Sequence, residues 1–125
     1  MFRELNDQEY KIILKAIKKI NIFFDQYPKY KIKINNIKFI ICENPYYINE
    51  KYIAFTNMKN QIIIKSILLE QKNDIIFPII LHEMWHYHQG RNILIRKLMR
   101  KGIVRKLYEY KANKVENIFK KWIKK

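Results

Sequence analysis

The sequence predicts a small α+β domain, and three observations support that fold class. Apolar residues recur every three or four positions near both ends of the chain, which is the spacing of amphipathic helices. Between them, residues 31–65 are rich in alternating β-branched and aromatic side chains, which is typical of strands. The chain has 125 residues, 49% hydrophobic and 30% charged, so we expect one globular domain over residues 1–125.

The first helix is predicted over about residues 7–25. Asn6 and Glu9 form a capping-box pattern in front of it, and Tyr27-Pro28 ends it. Its apolar stripe consists of Ile12, Ile13, Ala16, Ile17, Ile20 and Phe24. Lysines occupy the opposite side, so this helix is expected to pack and to carry no chemistry.

A sheet of about three strands is predicted next. The first strand covers residues 31–43, with a bulge at Asn35-Asn36. Residues 52–56 and 61–65 are two short strands on either side of a turn, so they predict a β-hairpin.

A buried helix is predicted after a connector or short helix at residues 66–72. Its first half, within residues 75–88, is almost entirely apolar. Asn73 or Asp74 can cap its start, and Gly90 stands where a helix would end.

This helix contains the pattern H-E-x-x-H at His82, Glu83 and His86. Positions i and i+4 share one face of a helix, so both imidazoles can point at one metal ion. Glu83 leaves the helix about 100° away and can accept a proton from water, which is the arrangement of a zinc peptidase. The alternative is a core helix with incidental histidines, although all three histidines of the chain, including His88, lie here.

A catalytic zinc ion usually takes three protein ligands, so a third is needed. No histidine follows His88, and only two carboxylates do, Glu109 and Glu116. Glu109 is favoured because Ala112 and Asn113 follow it at i+3 and i+4. The small Ala112 permits close helix packing, and Asn113 can hold the outer nitrogen of a ligand histidine. Glu116 is then expected to face away from the site; the alternative is that Glu109 is a solvated carboxylate.

Two more helices are predicted after Gly90. A basic helix covers residues 92–101, and a final helix runs over about residues 103–122. The buried stripe expected on the final helix consists of Val104, Tyr108, Ala112, Val115, Phe119 and Trp122.

The H-E-x-x-H helix followed by Glu109-x-x-Ala112-Asn113 resembles the gluzincin metallopeptidases. It looks most like the small ImmA/IrrE-type proteins and the minigluzincins, which pair that helix with a glutamate helix reading E-x-x-A-[ND]. The resemblance implies a minimal zincin-like domain with an N-terminal helix, a small sheet, the H-E-x-x-H helix and a C-terminal glutamate helix. It also implies a Zn²⁺ ion held by His82, His86 and Glu109.

The activity implied is hydrolysis of peptide bonds, with Glu83 as the general base. A donor must stabilise the oxyanion, and the candidates are Tyr108, Tyr110 and His88. A protein or peptide substrate would add as an extended strand to the sheet edge, at residues 52–56 or 61–65.

The net charge of +15 supports a second hypothesis. Residues 91–125 hold 13 Lys or Arg against Glu109 and Glu116, so this third of the chain could attract nucleic acid. The alternative function is therefore a basic nucleic-acid-binding or interaction module with a zincin-like fold and a structural or lost metal site. Lysines that merely fill solvated faces would give the same composition.

Location is expected to be cytoplasmic. Cys42 is the single cysteine, so no internal disulfide can form, and it is expected to be a small core residue. The polar start of the chain does not resemble a signal peptide. No apolar run approaches the roughly 20 residues of a membrane-spanning helix.

Overall fold

The computed structural model describes residues 2–33, 37–43, 54–56, 61–89 and 102–124. Within these residues the chain forms α-helices and one small mixed sheet, which confirms the predicted α+β class. In chain order the elements are β1 (Phe2–Arg3), α1 (Asp7–Gln26), β2 (Lys38–Cys42), β3 (Ala54–Thr56), β4 (Gln61–Lys65), α2 (Asn73–Gln89) and α3 (Gly102–Ile123), with 3₁₀ turns at Pro28–Tyr30 and Ser66–Glu70. The predicted helix over 92–101, the bulge at Asn35-Asn36 and the stop at Gly90 lie outside the described residues.

The sheet has the order β1-β2-β4-β3. β3 pairs antiparallel with β4, as the predicted hairpin requires, whereas β2 and β4 run parallel. β2 covers Lys38–Cys42 and is therefore shorter than the predicted strand at 31–43. β1 was not predicted, because two residues are too few to show an alternating pattern.

Helix α1 begins and ends as predicted. The Asn6 side chain accepts a hydrogen bond from the Glu9 N–H at 2.8 Å, and the Glu9 carboxylate accepts one from the Asn6 N–H at 2.9 Å. This reciprocal pair satisfies two amides that the helix leaves unpaired. The Tyr27 N–H donates to the Phe23 carbonyl at 2.9 Å and closes the last turn.

Helix α2 is buried on most of its circumference, which explains its apolar sequence. It packs against α1, the sheet and α3. The expected cap at Asn73 or Asp74 is wrong by one residue: the N–H of Ile76 donates to the Lys72 carbonyl at 3.0 Å, so the helix starts earlier. Asp74 instead lies in the first turn, where a negative charge favours the helix dipole.

An aromatic cluster joins the end of α3 to α1. Phe119 meets Phe23 edge-to-face with ring centroids 5.1 Å apart, and Trp122 lies 5.5 Å from the same ring. The Trp122 Nε1–H donates to Gln26 Oε1 at 2.7 Å. These contacts hold α3 at its C-terminal end, so that its middle crosses beside α2.

In the described part of the chain, no helix is both long enough and apolar enough to cross a membrane.

Candidate metal centre

Two histidines of α2 and one glutamate of α3 meet between the helices. His82 Nε2 lies 3.0 Å from Glu109 Oε1, and His86 Nε2 lies 2.9 Å from Glu109 Oε2. The two Nε2 atoms are 2.9 Å apart. One ligand atom from each residue therefore falls within 4.8 Å of the others, the arrangement needed to hold one metal ion. The structure thus brings together the three residues that the sequence predicts as ligands.

Local geometry explains this meeting. His82 and His86 are one turn apart, so their rings stand side by side with centroids 4.6 Å apart. Ala112 of α3 is completely buried, and its small side chain allows α3 to approach α2 closely. Glu109 precedes Ala112 by three residues and therefore lies on the same face of α3.

The outer nitrogen of each ring faces an oxygen atom. Glu116 Oε1 lies 2.8 Å from His82 Nδ1, although the ring N–H does not point straight at it. Gln89 Oε1 lies 3.1 Å from His86 Nδ1. A carboxylate can only accept, and an amide oxygen also accepts, so both Nδ1 atoms are assigned as protonated. Both Nε2 atoms then present lone pairs to the centre of the site.

The prediction that Glu116 faces away from the site is wrong. Seven residues make nearly two full helical turns, so Glu116 returns to the face of Glu109 within about 20°. Asn113, expected to hold a ligand ring, is exposed, and Glu116 and Gln89 occupy that role instead. Gln89 was missed, although its i+3 spacing from His86 on a helix is a usable signal.

The residues present fit a zinc ion. Two lone pairs 2.9 Å apart repel each other unless a proton or a cation lies between them. In tetrahedral zinc sites with Zn–N distances of about 2.0–2.1 Å, neighbouring ligand atoms are about 3.3 Å apart. The two Nε2 atoms, 2.9 Å apart, need to separate by only a few tenths of an ångström, and each lies 2.9–3.0 Å from a different oxygen of Glu109. Two neutral imidazoles and one carboxylate form a common catalytic zinc set.

The two rings differ in their affinity for a proton. Burial lowers the pKa of His82, but the Glu116 carboxylate 2.8 Å from Nδ1 and the charges of Glu83 and Glu109 outweigh burial, so this pKa is raised. Burial and the neighbouring charge of His82 lower the pKa of His86. A single proton is therefore held mainly by His82, and a metal ion would compete with it.

Glu116 is held on both sides. Its second oxygen lies 2.7 Å from Lys120 Nζ, one turn further along α3. Burial raises the pKa of the Glu116 carboxyl, but the hydrogen bonds to His82 and Lys120 lower it by more, so the net shift is downward. The group behind His82 is therefore an ionised carboxylate.

Glu83, the predicted base, is buried, with 8% of its surface exposed, and follows His82 directly on α2. Its charge is among those that raise the pKa of His82. Of the three oxyanion candidates, Tyr110 is 69% exposed and His88 packs edge-on against Trp85 at 5.8 Å. The side chain of Tyr108 lies outside the described residues.

Comparisons with protein-family profiles, curated proteins and solved structures give no match to this chain. Its motif and the geometry of the site are the remaining bases for a functional proposal.

Proposed function

We propose that the chain is a zinc-dependent metallopeptidase of the gluzincin type. The observation that carries this proposal is the convergence of His82, His86 and Glu109, with both outer ring nitrogens facing acceptors. In this arrangement the Nε2 atoms of both histidines and the carboxylate of Glu109 are available to one cation. Glu83, a buried carboxylate, follows the ligand His82 directly on the same helix.

Each residue has a role in this proposal. His82, His86 and Glu109 bind the ion, and a zinc ion supplies Lewis-acid chemistry by acidifying water and polarising a peptide carbonyl. Glu83 accepts the proton of the attacking water and passes it to the leaving amine. Tyr110 and His88 stay candidates for stabilising the oxyanion, together with Tyr108.

The substrate is proposed to be a protein or peptide in extended form. β4 has a strand on each side, so it offers no open edge to a substrate, whereas β3 ends the sheet among the described strands. β3 also packs against α2, the helix that carries the motif. A peptide added to β3 by main-chain hydrogen bonds would therefore run beside the metal ligands.

The test combines metal analysis with a matched pair of variants. The purified protein should contain about one zinc ion per chain, the number that one three-ligand site predicts. Glu83→Gln should keep that zinc and lose peptidase activity by roughly a hundredfold or more, the scale of general base catalysis. Activity is measured on a library of unstructured peptides, with product masses giving the cleavage positions.

Two outcomes would contradict the proposal. If the wild-type protein purified under native conditions contained no zinc, the proposed metal site would be wrong. A zinc-loaded Glu83→Gln variant with wild-type turnover would show that Glu83 is not the base. Leu107→Ala, at an exposed position of α3, serves as the control that should leave both measurements unchanged.

A second candidate function, nucleic-acid binding, is favoured by the charge pattern of α3. Both acidic residues of this helix, Glu109 and Glu116, contact histidines. The exposed lysines of the helix are Lys106, Lys111, Lys114, Lys120 and Lys121. Exposed lysines along one helix suit a phosphate backbone, and they can coexist with a peptidase site on the inner face.

Charge removal tests this second candidate. In the metal-free Glu83→Gln protein, Lys114→Gln with Lys121→Gln should lower the slope of log affinity against log salt by about two, roughly 0.9 per phosphate contact. Lys11→Gln with Lys15→Gln, on α1, is the matched control. Equal losses from both pairs would show that total charge matters and that α3 is not a specific surface.

A cytoplasmic location is part of the same proposal. Cys42 is buried and is the single cysteine of the sequence, so no disulfide can form within the chain, as suits a reducing compartment. An interaction module without activity stays the remaining alternative, which peptide hydrolysis would exclude.

A further inference from the structure

On the Nδ1 side of the His82 ring lie first the Glu116 carboxylate and then the Lys120 ammonium group. Glu116 Oε1 is 2.8 Å from His82 Nδ1, and Glu116 Oε2 is 2.7 Å from Lys120 Nζ. The Glu116 side chain is only 15% exposed, whereas that of Lys120 is 46% exposed. These two contacts therefore connect the partly exposed Lys120 to the ring of His82.

The two ligand histidines are supported in different ways. His86 faces a neutral amide, Gln89, which comes from its own helix at 3.1 Å. His82 faces a charged carboxylate that comes from α3 at 2.8 Å. His82 Nδ1 therefore faces a charged acceptor at the shorter distance, although its N–H does not point straight at that oxygen, whereas His86 Nδ1 faces a neutral acceptor.

Helix α3 touches the His82 ring at both nitrogens. Glu109 approaches Nε2 and Glu116 approaches Nδ1. Their seven-residue separation spans about 10.5 Å along the helix, so their side chains reach towards the same ring from two turns of α3. One helix therefore provides a candidate ligand and also holds the ring of another.

We propose that Glu116 is a positioning residue of the metal centre, which fixes the orientation and tautomer of His82 while Lys120 holds Glu116 in place. This inference rests on the metal site proposed above. Glu116, seven positions after Glu109, takes the supporting role that the sequence suggested for Asn113, four positions after Glu109. Carboxylates behind metal-bound histidines increase the basicity of the ring and typically contribute 10–100-fold to metal affinity.

The experiment measures metal affinity without any substrate. Zn²⁺ and Co²⁺ affinities of the full chain are determined by competition with a chelator, for wild type and for Glu116→Gln. This nearly isosteric change keeps an acceptor near Nδ1 but removes the charge. We expect zinc binding to weaken by 10–100-fold and the visible spectrum of the bound Co²⁺ to shift, while the metal-free protein unfolds at nearly the wild-type temperature.

Two lysine variants complete the design. Lys120→Gln should weaken zinc binding by a few-fold, because it removes the group that holds Glu116. Lys121→Gln, its exposed neighbour on α3, should leave zinc affinity unchanged. A merely structural role for Glu116 would lower the metal-free unfolding temperature and leave the affinity of the folded protein as it was.

The outcomes separate this inference from the proposed function. A wild type that binds no zinc would defeat the proposed function itself. A wild type that binds zinc, with Glu116→Gln equally tight and an unshifted Co²⁺ spectrum, would overturn the role of Glu116 alone. If circular dichroism shows Glu116→Gln to be unfolded, Lys120→Gln decides: unchanged zinc affinity there would also overturn the inference.

Discussion

Two groups of side chains on α3 make contacts of opposite chemistry. Towards its C-terminus, Phe119 and Trp122 pack against aromatic rings of α1. Towards its middle, Glu109 and Glu116 meet the histidines of α2. The first contact removes apolar area from water, which stabilises the fold. The second gathers charges and lone pairs, which favour folding only when something neutralises them.

The difference indicates that two parts of α3 have separate roles. The aromatic end fixes where α3 lies, and the polar end uses that position to complete a site. Ala112 and Val115, both completely buried, lie between Glu109 and Glu116 in the sequence, whereas the buried Phe119 belongs to the aromatic end. If this division is correct, substitutions at the polar end should change metal binding, and substitutions at the aromatic end should change stability.

The largest effect is expected from the ligand histidines. His82→Ala and His86→Ala each remove one of two nitrogen ligands, and we expect each to abolish stoichiometric zinc binding. Circular dichroism should show that both metal-free variants stay folded, since the core of apolar residues is unaltered. Elemental analysis of the purified proteins measures the metal content. Wild-type zinc content in both variants would rule out the site.

The aromatic end should show the reverse behaviour. Phe119→Ala removes a completely buried ring and should lower the free energy of unfolding by about 3–5 kcal/mol. Denaturant unfolding of the metal-free protein measures this loss. Zinc affinity of the molecules that stay folded should remain within a few-fold of wild type.

Leu107→Ala is the matched control for Phe119→Ala. It removes an apolar side chain from the same helix, but Leu107 is 64% exposed, so its effect on unfolding should stay within about 0.5 kcal/mol. If the two variants destabilised the protein equally, burial would not distinguish the two positions, and the proposed separation of roles along α3 would be wrong.

The same contrast explains what the sequence could and could not predict. The apolar spacing of Ala112, Val115 and Phe119 predicted the buried face of α3 correctly, because burial follows helical periodicity. The pattern of His82 and His86 was equally informative, since i and i+4 residues share a face. The α+β class was also predicted correctly, and so was the strand Gln61–Lys65, which contains three consecutive β-branched residues.

The failures concern contacts that depend on geometry between elements. Glu116 was placed away from the site because its sequence neighbours were compared with those of Glu109, although a spacing of two helical turns returns it to the same face. The parallel pairing of β2 with β4 was not predicted, although residues 39–42 and 62–64 are unbroken apolar runs, which suit a parallel pair buried on both faces. β1 depends on a partner about 40 positions away and is too short to have a pattern of its own.

A smaller effect is expected from the hydrogen bond that links α3 to α1. Trp122→Phe keeps a ring against Phe23 but removes the Nε1–H that donates to Gln26. We expect a loss of about 1 kcal/mol in the free energy of unfolding, the usual net contribution of one such bond. Gln26→Ala should give a similar loss, and the double variant little more than either single one. Fully additive losses would show that the two groups act independently.

The smallest effect concerns a polar contact that serves the fold and has no part in the metal site. Arg3 donates two hydrogen bonds to the Glu9 carboxylate, at 2.5 and 2.8 Å, and also pairs with Glu43. The hydrogen bond from Arg3 lowers the pKa of Glu9 below its ordinary value of 4.5, despite the opposing effect of burial. A carboxyl whose pKa is lower when folded adds stability above its unfolded pKa and loses it as the pH falls through the folded value. The stability of the metal-free wild type should therefore decline below about pH 4.5 more steeply than that of Glu9→Gln, which keeps the capping acceptor for the Asn6 N–H but carries no charge. Denaturant unfolding between pH 3 and pH 7 measures both curves, and parallel curves would show that the Arg3–Glu9 pair contributes nothing to the fold.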